Sequence, residues 1–368
     1  MALPSANFPG VRSELFRNVQ RIVVKLGTGV LTDARMRPDQ VQFAQLVAQL
    51  AALRAAGREV VLVTSGAVGA GMGALGYEAR PGSLAERQAC AAVGQSRLMA
   101  MYEALFRHYN LTVGQVLLTH EDLADHTRHL NARNTLLTLL KRGVIPIINE
   151  NDVVSVTELK FGDNDKLSAL VASLLPADLL VILTTAEGLI QDYGKPGAHR
   201  LSVVERIDES IVAMAGGTTS LTATGGMATK ITAARIVMRS GIPLVIASGR
   251  RFDGLERILG GADEGTVFLA NTAGLSSRKR WIAFYHHVRG TLTLDAGASR
   301  AVKEQGRSLL AVGVTQCEGE FAAGDVVRLM APDGSEIARG LTRLSAAAVR
   351  EHKTQRGEVV HRDDLVVL

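Results

Sequence analysis

Two lysines in this sequence sit where phosphate chemistry would use them. Lys25 lies in VVKLGTG, and Lys230 ends TGGMATK, which runs straight into ITAARIVMRSG, a helical pattern. Glycine loops let backbone N–H groups approach phosphate oxygens closely, and a helix N-terminus adds a favourable dipole. The second loop is not the common nucleotide motif, which puts glycine directly before its lysine; Thr229 holds that place here. A third stretch, FGDNDKLSALVASLL at 161–175, places Asp163, Asn164 and Asp165 just before another helical pattern. Helix capping accounts for one such residue, because Asp and Asn are favoured at helix starts. Three exceed what one cap uses, and a carboxylate at Asp165 could instead hold the two lysines in position. This set suits phosphoryl transfer, where catalysis is charge neutralisation over the equatorial oxygens plus amides that hold the donor.

Such distant stretches need a scaffold that brings them to one rim. Short β-branched runs each end in a polar or glycine-rich loop: RIVVKLGTG (21–29), REVVLVTSGA (58–67), LTVGQVLLT (111–119), VIPIINEND (144–152), DLLVILTTAEG (178–188) and IPLVIASG (242–249). Cores such as VVLV and LLVIL are apolar on both faces, as strands of a helix-covered parallel sheet should be. Helical patterns alternate with them, among them 38–57, with proline near its start and glycine at its end, and 84–109. The expected fold class is α/β, a mostly parallel sheet sandwiched by helices over about the first 270 residues. In such sheets ligands bind beyond the carboxyl ends of the strands. Lys25 closes the first strand ahead of Gly27 and Gly29, Ser65 and Gly66 close the second, Asn149 to Asp152 the fourth, and Thr184 and Thr185 the fifth. A glycine after a strand is often only a turn-former. The case for a crevice rests on amides, hydroxyls, carboxylates and a lysine meeting on one rim.

Composition narrows the class. Net charge is +5, from 41 Lys and Arg against 36 Asp and Glu, which suits anionic substrates no less than nucleic acid. Cys90 and Cys317 stand far apart without metal-type spacing, and the expectation is a reducing, cytoplasmic setting. The opening MALPSANFPGVRSELF lacks the apolar core of a signal peptide, and no apolar run reaches the ~20 residues that span a bilayer. THEDLADHTRH at 119–129 holds His126 and His129 at a helical i, i+3 spacing that could share a metal. No third ligand is fixed by the pattern, so a solvated polar segment is the expected reading. Trp281, beside the basic run Arg278–Arg280, reads as inter-domain packing.

The texture changes after residue 290 to short alternating runs with turn signals such as PDG, which describes a small, mostly β barrel. From Gly290 onward there are 10 Lys and Arg against 11 Asp and Glu. Nucleic-acid binding rests on a positive footprint, so this balance argues against RNA as a partner and for an architectural or regulatory module.

VVKLGTGVLT, VTSGAVGAG, INENDVVS, GDNDKLSA and TGGMATK, in that order and spacing, resemble the amino-acid kinase family, and within it the members that phosphorylate L-glutamate. The C-terminal module is similar to the PUA domain, and looks about a dozen residues short between Val349 and Glu358. The resemblance implies an N-terminal extension over 1–18, a catalytic domain over 19–275, a linker over 276–289 and a PUA-like domain over 290–368. It also implies transfer of phosphate from ATP to the γ-carboxylate of L-glutamate, the first step of proline biosynthesis, with Mg²⁺ required. By this resemblance Lys25 and Lys230 stabilise the transferring group and Asp165 organises them. Ser65, Asp152 and Asn164 bind glutamate, with Gly66 beside the reacting carboxylate. Lys25, Thr184, Thr185 and the loop Thr224, Gly225, Gly226, Met227, Ala228, Thr229 and Lys230 hold ATP. No residue is assigned as a metal ligand. A homo-oligomer, dimer or tetramer, and proline as feedback inhibitor are further implications. The pattern breaks at Thr185, where the family carries Asp, and at IQDYGKPG, where a Tyr-x-x-Asp-Pro-like segment is usual. The alternatives are a related kinase acting on aspartate, acetylglutamate or uridylate, and an RNA-directed protein working through its C-terminal module.

Overall fold

Runs of Val, Ile and Leu without alternation reflect burial on both faces, and the strands they form are the buried core of the first of two units. The computed structural model describes residues 11–33, 37–155, 164–216, 226–271, 275, 277–285, 288–351 and 357–367. Two compact units result: the described parts of Met1–Asp122 and His129–Gly274 form one, and those of Leu123–Arg128 and Leu275–Leu368 the other.

The first unit is built on strands β1 (Arg21–Leu26), β2 (Glu59–Val63), β3 (Val113–Leu118), β4 (Ile145–Glu150), β5 (Leu179–Thr184), β6 (Val203–Val204), β7 (Leu244–Ser248) and β8 (Thr266–Phe268). They form one sheet in the order β3-β4-β2-β1-β5-β7-β8-β6. The six strands expected from the sequence are all present and mutually parallel. β6 and β8 extend the sheet, β8 running antiparallel to β7. At two and three residues they are too short to leave a readable pattern. Ile22, Val23, Val24 and Leu26 of β1 are fully buried, and each such side chain contributes roughly 1.5–3 kcal/mol of hydrophobic stabilisation.

Helices cover the sheet. Gln40–Ala55 starts at Asp39, whose side chain accepts from the Gln42 amide, and Leu84–Arg107 starts at a reciprocal Ser83–Glu86 cap. The second of these packs tightly against Ala67–Ala74, because Gly71 and Gly94 bring the backbones together: a Cβ on Gly94 would fall 1.7 Å from the Ala67 carbonyl oxygen. β1 lies at the switch point of the sheet, with β2, β4 and β3 to one side and β5 and β7 to the other. A crevice forms at such a point. Within residues 1–18, Val11–Phe16 is a helix, and buried Arg12 donates to the carbonyls of Ala262, Glu264, Gly265 and Ser202.

The second unit holds β9 (Val288–Leu294), β10 (Leu309–Leu310), β11 (Val314–Gly319), β12 (Val326–Met330), β13 (Glu336–Thr342) and β14 (Glu358–Val367), ordered β10-β14-β13-β12-β9-β11. Its core gathers Leu292, Leu294, Val327, Leu329, Ile337 and Val360. The PDG signal is the β12–β13 turn, where Gly334 adopts φ +81°. The turn Trp281–Tyr285 buries Ile282 and Ala283 against Val326 and Val366 of this unit. Among the described residues no helix is long and apolar enough to cross a membrane.

Candidate active site

Lys25 sits near the end of β1 and is 1% exposed. A lysine so deep in a sheet requires a partner, because an isolated buried charge is prohibitively costly. Its partner is Asp165, which is fully buried in the first turn of the helix Asn164–Leu174. Lys25 Nζ lies 2.6 Å from Asp165 Oδ1, and Lys230 Nζ lies 3.0 Å from Oδ2. Thr229 Oγ1 is 2.8 Å from the same Oδ2 and 2.8 Å from the Gly226 carbonyl oxygen. The hydroxyl where a common nucleotide loop has glycine therefore holds both the carboxylate and the loop. The structure thus joins three stretches far apart in sequence at one carboxylate.

The strand ends on the two sides of β1 differ in chemistry. On the β2–β4 side, Ser65 and Gly66 follow β2, and Gly66 adopts φ +98°, a conformation that favours glycine. Asp152 stands half-buried on the turn that follows β4, the neighbour of β2. Asn164 Nδ2 donates to the Thr64 carbonyl at 2.5 Å and to Asn149 Oδ1 at 2.8 Å, with Ser65 Oγ at 3.2 Å. Asn149 in turn accepts from the Glu150 amide at 3.0 Å and donates to Gln95 Oε1 at 2.8 Å. Tyr102 meets Thr64 Oγ1 at 2.7 Å, and burial pushes its phenol well above the usual range, so the hydroxyl stays protonated. Gln95 and Tyr102 are not residues that the motifs single out. The signal for them is the seven-residue spacing of Gln88, Gln95 and Tyr102, which puts three polar side chains on one face of the long helix.

On the β5–β7 side the contacts are mostly backbone. Gly27 N donates to Leu183 O at 3.0 Å, and Gly249 N to Thr184 O at 2.8 Å, which ties the loops after β1 and β7 to the end of β5. A Cβ on Gly27 would lie 3.3 Å from Leu183 O, so glycine lets the loop approach the end of β5 closely. Thr184 ends β5, paired with Ser248. Thr185 turns its methyl toward Gly29, 3.1 Å from where a Cβ would stand. Arg250 Nη2 donates to Gly29 O at 2.7 Å. Gly226 is the N-cap of the helix Met227–Arg239 and offers no side-chain cap. Met227 is buried there and Ala228 exposed. Asp163, Thr224 and Gly225 lie outside the described residues. The atypical IQDYGKPG segment belongs to a small hairpin, Ile190–Gln191 with His199–Arg200, and Arg200 donates to the Gly265 and Asp263 carbonyls.

A model of the amino acid kinase family matches residues 20–248, well over half of the sequence. The chain belongs to the amino acid kinase family. Residues 290–363 of this amino acid kinase match the PUA domain. A Deinococcus radiodurans protein named glutamate 5-kinase is 49% identical to it, covering 95% of this chain and 100% of its own. Another of that name, from Moorella thermoacetica, is 47% identical over 95% of this chain and 96% of its own. The solved carbamate kinase from Giardia lamblia, bound to AMP-PNP, is similar in fold at TM-score 0.51 and 18% identity, covering 69% of this chain and 99% of that one.

The histidine-rich segment has local uses in this amino acid kinase. Asp122 and Thr119 cap the helix His120–Ala124 reciprocally, and Asp125 accepts from the Arg128 amide at the start of His126–Lys141. His126 packs edge-on against Trp281, 5.3 Å between ring centroids. Among the described residues no group of three or more His, Cys, Asp and Glu could hold a metal ion.

Proposed function

We propose that this chain transfers the γ-phosphoryl group of ATP to the γ-carboxylate of L-glutamate, giving L-glutamyl 5-phosphate, the first step of proline biosynthesis. The observation that carries the reading is the buried Lys25–Asp165–Lys230 set at the head of the parallel sheet, in a chain nearly half identical over almost its full length to proteins named glutamate 5-kinase.

The chemistry fits the residues. A γ-carboxylate has an ordinary pKa of about 4.3 and is already ionised at neutral pH, so the nucleophile needs no general base. It needs relief from repulsion between its own charge and the phosphates. In this reading Lys25 and Lys230 neutralise the equatorial oxygens of the transferring group, and Asp165 fixes both ammonium groups before substrate arrives. Ser65, Gly66, Asp152 and Asn164 hold glutamate on the β2–β4 side. Thr184, Thr185 and the loop 224–230 hold ATP on the β5–β7 side, with Gly226, Met227, Ala228 and Thr229 presenting amides at a helix N-terminus. In this reading acceptor, transferring group and donor lie side by side along the order of strands. Mg²⁺ enters as part of the substrate, borne on the ATP phosphates, as is usual for this ion.

The same reading makes the protein a homo-oligomer, dimer or tetramer, with proline as feedback inhibitor, both resting on the family resemblance; a cytoplasmic setting rests on its two distant cysteines. The charge balance of the PUA domain argues against RNA as its partner. Incubation with MgATP, L-glutamate and hydroxylamine tests the reaction, because hydroxylamine traps acyl phosphates. Hydroxamate from glutamate is expected. Hydroxamate from aspartate and none from glutamate overturns the reading.

A further inference from the structure

We propose that Arg250 is a positioning residue for ATP, pinning the glycine loop after β1 from the loop that follows β7. The inference rests on the ATP side of the reading above. Gly27, Thr28 and Gly29 come just after Lys25 and run into the short helix Thr28–Leu31. Two glycines leave such a loop many conformations, so its order has to come from contacts. Bonds within the turn set its shape: Val30 N donates to Gly27 O at 3.0 Å, and Thr32 Oγ1 to Thr28 O at 2.9 Å. Its place against β5 and β7 depends on two others. At one end Gly27 N donates to Leu183 O at 3.0 Å. At the other, Gly29 O needs a donor that the helix does not supply. Asp33 N, the amide that a longer helix would bring to it, donates to Arg37 O at 2.9 Å instead. Arg250 Nη2 donates to Gly29 O at 2.7 Å, with Thr32 O at 3.4 Å.

The loop that carries Arg250 is itself held. Gly249 N donates to Thr184 O at 2.8 Å, and Gly249 O accepts from Gln42 Nε2 at 2.8 Å in a buried bond. A Cβ on Gly249 would fall 2.6 Å from Val30 Cγ1, so the backbone here lies directly against the turn. The pair Gly249–Arg250 thus ties Thr184 to Gly29, two parts of the side that holds ATP in the reading. A guanidinium makes a stronger bond to a carbonyl than a neutral donor does. Amides ordered before the ligand arrives lose less freedom on binding it. The adjacent arginine gives an internal contrast. Arg251 is exposed to the same degree, 43% against 45%, yet its Nε lies 3.2 Å from Asp253 Oδ1 and 3.6 Å from Glu264 Oε2. It serves carboxylates, whereas Arg250 serves the loop.

The test measures KM for MgATP and for L-glutamate in the hydroxylamine assay, each at saturating levels of the other substrate. Arg250→Met removes the donors and keeps the apolar stem. It is expected to raise KM for MgATP by about fivefold, with KM for L-glutamate within about twofold. Arg250→Lys keeps a cationic donor for Gly29 O and should recover most of the loss. Arg251→Met removes the same charge one residue away and should leave both KM values within about twofold. Arg250→Met combined with Gly29→Ala should raise KM for MgATP by less than the product of the single effects, because both act on one loop. Arg250→Ala carries the same comparison if the methionine variant does not fold. An unchanged KM for MgATP, an equal rise in both KM values, or an equal rise from Arg251→Met overturns the proposal. Fully multiplicative effects in the double variant overturn it too, since Arg250 would then act on ATP without the loop. If the unaltered protein forms no hydroxamate from glutamate, the functional reading fails and this inference fails with it; turnover with KM for MgATP unmoved by Arg250→Met sinks this inference alone.

Discussion

In the proposed reading, the β2–β4 side and the β5–β7 side solve different recognition problems with different atoms. On the β2–β4 side, Ser65, Thr64, Asn149, Asn164, Gln95 and Tyr102 form one largely buried hydrogen-bonded network, joined at Thr64 through its backbone carbonyl. On the β5–β7 side, glycine backbones carry the geometry, at Gly27, Gly29, Gly226 and Gly249. A small amino acid must be told from its relatives by the polarity of each group it meets, and a buried polar site punishes the wrong partner by leaving its own atoms unpaired. Phosphates are the same in every nucleotide, and backbone amides hold them whatever the side chains are. Under the proposed reading, Thr185 and IQDYGKPG, where the resemblance is imperfect, fall on the backbone side, and INENDVVS and GDNDKLSA on the other.

Substitutions can break this contrast, and the largest effect is expected where the two sides meet. Asp165→Ala leaves two buried lysines without the carboxylate they share, a change that costs about 3–5 kcal/mol in comparable buried pairs. It should lower kcat by roughly 10³ and reduce Tm together, read by the hydroxamate assay and thermal melting. Lys230→Ala should lower kcat by about 10² or more with little change in either KM; a loss confined to KM removes the lysine from the transition state.

A smaller effect separates the sides. Gly29→Ala places a Cβ 3.1 Å from the Thr185 methyl. It should raise KM for MgATP several-fold, on the order of 1 kcal/mol of overpacking, and leave KM for glutamate unchanged. Thr185→Ser in the same chain removes that methyl and should restore the nucleotide KM. A shift in the glutamate KM instead would show that the two sides are not independent. Arg12→Ala is the control that belongs to neither side. It deletes a buried cation bound to four carbonyls, and should lower stability by about 2 kcal/mol with both KM values intact.

The smallest expected effect is a pH dependence at the same anchor. Burial pushes the Asp263 carboxyl up, but bonds from Arg200 and Ser202 and the charges of Arg200 and Arg12 outweigh it and hold the group below its usual range. A carboxyl depressed in the folded state contributes stability above its unfolded pKa and loses it as pH falls through the folded value. Melting from pH 6 downward should therefore show a modest acid loss (about pH 4 and below) that Arg12→Ala diminishes.

The sequence was legible where chemistry is repeated in a row. β1, β2, β4, β5 and β7 read clearly because burial on both faces leaves mostly apolar runs, and Asp165 stood out because three capping residues exceed one cap. Gln95 did not, since a glutamine on a long helix looks like any solvent-facing residue until Asn149 is found 2.8 Å away. Arg12 lay in an extension with no pattern, and the parallel pairing of β9 with β12 joins strands with two others between them in the chain.

By itself, then, the sequence determined the element types, the family and the residue kinds that gather at strand ends, because these follow from local periodicity and from motifs in register. The tertiary structure decided which groups touch. It turned the expected link of Lys25 to Lys230 through Asp165 into contacts of 2.6 and 3.0 Å, and it alone set the direction of the amide chain from Gln95 to Asn164. Hydrogen-bond polarity depends on partners distant in sequence, and a string of residue names carries no record of which end of an amide faces which neighbour.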